Sequence, residues 1–203
     1  MEIKRIREAD DSIVEQIVVT HLLTLSDSFL NNFGKYFLKI IYQNSIDSED
    51  SICLILSENE KVEGFALATK NYSTFFKNAL RKNKVSLLIN ILKESIFNPK
   101  NILLLTKSLP NLLFSKEEPR AELQFIAVST SQQGKGYGSS LVRKLTEELS
   151  DIGINQFYVG TQSSDPLSNK FYQKMGFTKQ FEKTYFGKKL NYYLSPKSNL
   201  LLQ

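Results

Sequence analysis

A chain of 203 residues with 41% apolar and 23% charged side chains has globular composition, which excludes disorder and fibrous repeats and suffices for one well-buried core. Its single cysteine, Cys53, excludes an intrachain disulfide and a cysteine-built metal cluster. Net charge is +5, yet residues 72–116 alone hold eight Lys or Arg against the lone acid Glu94, so any attraction for an acidic partner belongs to that one segment.

The charged start at residues 1–7 is unlike a signal peptide. The longest apolar run is the five residues 52–56, so no membrane span is expected and the location read from the chain is cytoplasmic.

Apolar and basic residues alternate over 3–6 and predict a first strand, after which Asp10 and Asp11 open a helix running to about Leu25. Phe29, Phe33, Phe37, Ile40 and Ile41 recur at spacings of three and four and predict a second helix, inside which Gly34 costs about 1 kcal/mol. Strands are predicted over 51–57 and 62–69, joined by the polar turn 58–61 into an antiparallel hairpin. In the basic segment, apolar positions such as Phe76, Leu80, Leu88, Leu92, Leu105 and Leu109 predict two or three amphipathic helices broken near Pro99 and Pro110. The segment reads as an insertion between the third and fourth strands of a single domain spanning 1–203.

Beyond Pro119 come a strand over 121–128, a loop over 129–134 and a helix over 137–149 ended by Gly153. A strand over 157–161, a helix from Pro166 to Met175 and closing strands over 177–185 and 190–194 complete the chain. The stretch QGKGYGSS, residues 133–140, therefore lies between a strand and a helix. Its alternate glycines Gly134, Gly136 and Gly138 let the backbone bend and approach a ligand, with free amides at a helix start, an arrangement that binds phosphate. The spacing matches neither a P-loop nor the dinucleotide fingerprint.

The run AELQFIAVSTSQQGKGYGSSLV resembles the acetyl-CoA-binding segment of the GNAT superfamily of N-acetyltransferases, whose pattern falls here on Gln133, Gly136 and Gly138. The run DPLSNKFYQKMGF, residues 165–177, is similar to the family's second signature, a helix with a tyrosine shortly before Gly-Phe; Tyr172, Gly176 and Phe177 fit it. Asp165 and Ser168 depart from the common Asn and Ala, and Asn169 is the candidate to replace the lost amide contact with the coenzyme.

The resemblance implies an α/β (α+β) fold with a central mixed, mostly antiparallel sheet of six to seven strands flanked by helices, and acetyl-CoA as cosubstrate without a metal. It implies that amides of Gly134, Lys135, Gly136, Tyr137, Gly138 and Ser139 hold the pyrophosphate, with charge added by Lys135. The backbone of Ile126, Ala127 and Val128 would run beside the pantetheine arm, and Tyr172 would face the sulfur.

Amine acetylation requires a neutral amine, and an alkyl ammonium with pKa about 10.4 needs a base at neutral pH. Glu122 is the candidate, at the position from which some family members draw theirs; strand alternation predicts that it shares a face with Gln124 and Ile126. Tyr172 is the candidate donor to the departing thiolate, so direct attack needs no covalent enzyme intermediate. Cys53 reads as a small buried hydrophobe, and His21, on the stripe of Ile13, Ile17 and Leu25, as a partly buried helix residue.

The expected acceptor is a small-molecule primary amine, acidic or phosphate-bearing, such as a nucleotide-linked amino sugar, with 72–116 as a lid or wall beside its cleft. Plain packing, a dimer contact and peripheral contact with an anionic membrane are competing roles for that segment. A protein or peptide N-acetyltransferase and a non-catalytic acyl-CoA sensor are the alternative functions. No nucleic-acid partner is expected, and the chain is read as a monomer or homodimer.

Overall fold

The computed structural model describes residues 1–80, 120–185 and 187–201. Seven strands, β1 (Glu2–Ile6), β2 (Ser51–Glu58), β3 (Lys61–Thr69), β4 (Glu122–Val128), β5 (Tyr158–Gln162), β6 (Thr178–Tyr185) and β7 (Lys188–Leu194), form one sheet in the order β1-β2-β3-β4-β5-β7-β6. Neighbours are antiparallel except β4 and β5, which run parallel. This is the mixed, mostly antiparallel sheet that the family resemblance implies.

β2 and β3 are central strands, and their near-continuous apolar runs are buried on both faces. The turn between them places Asn59 and Glu60 at φ of 48° and 65°, the handedness that suits the twist of a tight hairpin. Helices α1 (Asp11–Thr24), α2 (Gly34–Ile46) and α3 (Tyr72–Leu80) cover one face, sharing a core with Cys53, Ile55, Phe65 and Leu67. On the other face α4 (Tyr137–Ser150), α5 (Pro166–Lys174) and α6 (Ser198–Leu201) pack on Ile52, Leu54, Ala66 and Leu123. Asp10 caps α1, its carboxylate accepting from the amides of Ser12 and Ile13 at 2.9 and 3.0 Å, a contribution of about 1 kcal/mol.

The second predicted helix is divided. Residues Phe29–Phe33 form a 3-10 turn, and Gly34 follows at φ +81° as the first residue of α2. Gly34 is therefore a joint that needs the left-handed region, and the helix-interior penalty does not apply to it. The phenylalanine spacing misled because Phe29, Phe33 and Phe37 stay in contact across the joint, edge to face and then tilted, with ring centroids 5.0 and 4.7 Å apart.

Of the basic segment only α3 falls within the described residues; the helices predicted beyond it lie outside them. Among the described residues no single helix is long and apolar enough to cross a membrane. α1 and residues 29–46 reach that composition only together, bent by 117°, and their apolar side chains fill the first core.

Candidate active site

β4 and β5 pair at only two positions, Glu122 with Tyr158 and Leu123 with Val159. Beyond these, β4 continues along β3 to Val128 and β5 along β7 to Gln162, so the two parallel strands part. Among the described residues no strand lies beside the β5-facing edge of β4 from Gln124 to Val128, and such an edge offers its peptide groups to an extended ligand.

A bulge sets the side chains at this opening. Leu67 pairs with Phe125 and Ala68 with Leu123, leaving Gln124 as an extra residue in β4. Leu123, Ile126 and Val128 consequently pack under α4 and α5, while Phe125 and Ala127 join the α1 and α2 core. Glu122, next to Leu123, lies on the face opposite to Ile126. The expected common face of Glu122, Gln124 and Ile126 is thus corrected, because the bulge resets the alternation between them.

β4 leads through a 3-10 turn at Thr130–Gln132 into α4. Gln133 Nε2 donates to the Val128 carbonyl at 3.0 Å and Lys135 Nζ to Gln132 Oε1 at 2.8 Å, which fixes the loop on the end of the strand. Gly134 and Gly136 take φ of +78° and +86°, and a Cβ at either would meet nothing within 4 Å. The glycines therefore serve the backbone bend and leave an open face above it. Among the described residues no side chain caps α4, so the amides from Gly134 to Ser139 and the positive end of the helix dipole form a cradle that fits a diphosphate. Ser139 belongs to the first turn, and Gly138 admits the Phe171 ring 3.6 Å from where its Cβ would stand.

A cavity of about 600 Å³ lies at the strand opening, walled by residues 24–30, by Tyr72 and Phe76 of α3, by β4 residues 122–126, and by residues of β5, α5 and β7. Glu122 and Tyr172 both line it. The Glu122 side chain is 6% exposed and its Oε2 accepts from Arg120 Nε at 2.9 Å. Burial pushes its carboxyl up to about 7, against the opposing pull of the Arg120 charge and hydrogen bond and of the Gln124 amide. Tyr172 is 4% exposed among Phe171, Phe177 and Tyr193. Burial first, and the charge of Asp165 second, raise its hydroxyl well above the ordinary tyrosine value, so it stays protonated at neutral pH.

The residues singled out from sequence divide accordingly. Ile126, Ala127 and Val128 lie on the unaccompanied stretch of β4, Gln133 and the glycine loop stand beside it, and Glu122 and Tyr172 meet at the cavity. Asn169, expected to reach the coenzyme, has its amide turned inward: Nδ2 donates to the carbonyls of Gln162 and Asp165 at 2.8 and 2.5 Å, and Oδ1 accepts from Asn191 and the Tyr193 hydroxyl at 2.7 and 2.8 Å. It ties β5, α5 and β7 together. Asp165 and Ser168, the two departures from the family pattern, work as a pair: Asp165 caps α5 through the amides of Leu167 and Ser168 and accepts from Ser168 Oγ at 2.5 Å.

His21 is fully buried, more than its partly buried expectation. It shares a 2.7 Å hydrogen bond with the Tyr42 hydroxyl and lies flat against Phe65, and burial lowers it to about 4. The Cys53 thiol is buried and pushed up to about 12. Sequence reasoning missed Arg120, whose guanidinium carbon sits 4.9 to 5.8 Å from the ring centroids of Tyr72, Tyr192, Tyr158 and Phe181. Its one trace in the sequence is the two-residue spacing from Glu122, which puts both on one side of an extended chain.

A family model described as the acetyltransferase (GNAT) family matches residues 22–177. Over 70 residues the chain is 37% identical to an uncharacterized N-acetyltransferase of Chlorobaculum tepidum, a match that takes in 34% of this chain and 41% of that protein, less than half its length. Among solved structures, the ribosomal-protein-S18-alanine N-acetyltransferase from Escherichia coli superposes with a TM-score of 0.58 at 13% identity, over 97% of this chain and 94% of that one. An aminoglycoside 6'-acetyltransferase type Ii gives 0.60 at 15% identity, over 98% and 97%. At these identities the structures show a shared fold.

Proposed function

The chain belongs to the GNAT family of acetyltransferases, and from that premise we propose that it transfers an acetyl group from acetyl-CoA to a small-molecule primary amine by direct attack of the amine on the thioester. The observation that carries the reading is the β4 edge from which β5 departs, which leads from a cavity that both Glu122 and Tyr172 line to the uncapped glycine-rich helix start.

Bound acetyl-CoA supplies the activated acyl group. The amides from Gly134 to Ser139 would hold its diphosphate, with Lys135 nearby, and the backbone of Ile126, Ala127 and Val128 its extended arm. Glu122, with a carboxyl raised to about 7, is matched to neutral pH as the base that takes the ammonium proton. The protonated Tyr172 hydroxyl donates to the departing thiolate, whose own pKa is about 8.5 for a cysteine-like thiol.

The walls speak to the acceptor. Among the described residues they carry the carboxylates Asp27, Glu122 and Asp165, while the ammonium of Lys188 is bonded to the Asp27 carbonyl at 2.6 Å. This favours a cationic amine over the acidic or nucleotide-linked amino sugar that the charge of residues 72–116 suggests. The two solved relatives are named for a protein alanine and for an aminoglycoside, so the fold alone does not choose between classes.

The test is release of free thiol from acetyl-CoA across a panel of primary amines, with Glu122→Gln in parallel. Amine-dependent release is expected, lowered about 10²- to 10⁴-fold in kcat/KM by the substitution. Tight coenzyme binding with no amine-dependent release anywhere in the panel would instead identify a sensor, and folded protein that binds no coenzyme A would end the assignment.

A further inference from the structure

We infer that Arg120 is the positioning residue of Glu122: its guanidinium, seated in a box of four aromatic rings, fixes the carboxylate at the wall of the cavity and favours its ionised form against burial. The inference rests on the reading of Glu122 as the base and adds the residue that makes a buried carboxylate usable as one.

The box is built from parts of the chain far apart in sequence. Tyr72 comes from α3, Tyr158 from β5, Phe181 from β6 and Tyr192 from β7, and their ring centroids surround the Arg120 carbon at 4.9, 5.4, 5.8 and 5.2 Å. Two of the rings, Phe181 and Tyr192, are stacked on each other with centroids 4.8 Å apart. The main chain is held as well: the Arg120 carbonyl accepts from the Tyr72 amide at 2.8 Å, and the Ala121 carbonyl from the Tyr158 amide at 2.9 Å. Ring faces stabilise a cation, and the guanidinium so placed meets Glu122 Nε to Oε2 at 2.9 Å with the two side chains 14% and 6% exposed.

The physics of the pair is a contest. Removal from water favours the protonated carboxyl, and an opposite charge at hydrogen-bond distance favours the ionised one. The titratable groups around the pair are Arg120, two residues ahead of Glu122 and just outside β4, and Tyr72, Tyr158 and Tyr192, whose rings surround the guanidinium. Across the cavity stand Asp27, Asp165 and Lys188. Among these described groups Arg120 is the one bonded to the carboxylate, and both causes contribute to the position of its titration. Without that charge, burial is opposed by the Gln124 amide alone among the causes named above, and the carboxyl holds its proton through neutral pH. A salt bridge that only knitted the strand together would have no reason to present its acid to the cavity.

The experiment compares Arg120→Met, Arg120→Gln and Arg120→Lys with Glu122→Gln, reading the pH profile of kcat/KM and, independently of turnover, the Glu122 carboxyl carbon by NMR titration. The two neutral variants are expected to move both the acid limb and the NMR midpoint upward by about 1–3 units, a tenfold or larger loss of kcat/KM on the acid side. Arg120→Lys, which restores charge, is expected to bring the midpoint part of the way back. Should the Met variant not fold, the shorter, polar Gln variant carries the same test. A folded neutral variant with midpoint and limb unmoved, alongside a Glu122→Gln variant that has lost the limb, overturns the inference alone. A Glu122→Gln variant that keeps the wild-type limb overturns the base assignment, and this inference with it.

Discussion

Loss of water displaces the titration of three side chains, with a different outcome at each. In Glu122 it raises a carboxyl to about 7, in Tyr172 it keeps the hydroxyl protonated at neutral pH, and in His21 it suppresses a charge the core cannot hold. The last has a thermodynamic consequence. The unfolded chain protonates His21 near 6.5 and the folded one only near 4, so the stability tied to the neutral ring is complete above pH 6.5 and is lost as pH falls toward 4. Unfolding free energy measured by denaturant titration is expected to drop by about 3 kcal/mol over that window from this residue, and His21→Gln is expected to flatten that part of the slope.

Tyr172→Phe is expected to keep the ring contacts with Phe171, Phe177 and Tyr193, leaving the melting temperature and coenzyme affinity nearly unchanged, while kcat falls about 10²-fold. Steady-state kinetics with calorimetry separates these effects. Tyr172 was legible in the sequence because its neighbours along the chain, Gly176 and Phe177, carry the signature. Arg120 was not, because its surroundings come from Tyr72, Tyr158, Phe181 and Tyr192, which only the folded sheet brings together.

Among the elements, the succession of strands and helices was readable wherever the apolar period was local, as in the β2–β3 hairpin and the amphipathic α4. The β4 bulge was not, since it exists only as a mismatch of register with β3. Gly64 of β3 marks how close the two strands come: a Cβ there would stand 2.8 Å from the Ala127 carbonyl oxygen, a backbone atom that cannot swing aside. Gly64→Ala is expected to destabilise the fold by about 1–3 kcal/mol, read from thermal or denaturant unfolding. At the far end of β4, Gly136→Ala forces a side chain into φ +86°, at about 1–2 kcal/mol in stability, and disturbs the cradle. Calorimetry is expected to show weaker coenzyme A binding for this variant even where it remains folded.

At the scale of the molecule, strands β1 to β4 and strands β5 to β7 are two blocks of sheet joined by two residue pairs. The sequence could not show this, because strand order and the insertion of β7 between β5 and β6 follow from long-range pairing. A ligand that binds only the folded state stabilises it by about 2.7 kcal/mol at a hundredfold excess over Kd. Coenzyme A is expected to act so, with amide hydrogen exchange slowed most at residues 124–128. The blocks then resemble a garment closed by a removable stitch. On the proposed mode of binding each turnover would thread the seam and each departure of spent thiol unpick it, so slow unpicking would hold the cycle back however fast the acyl group moves, and solvent viscosity would register on kcat.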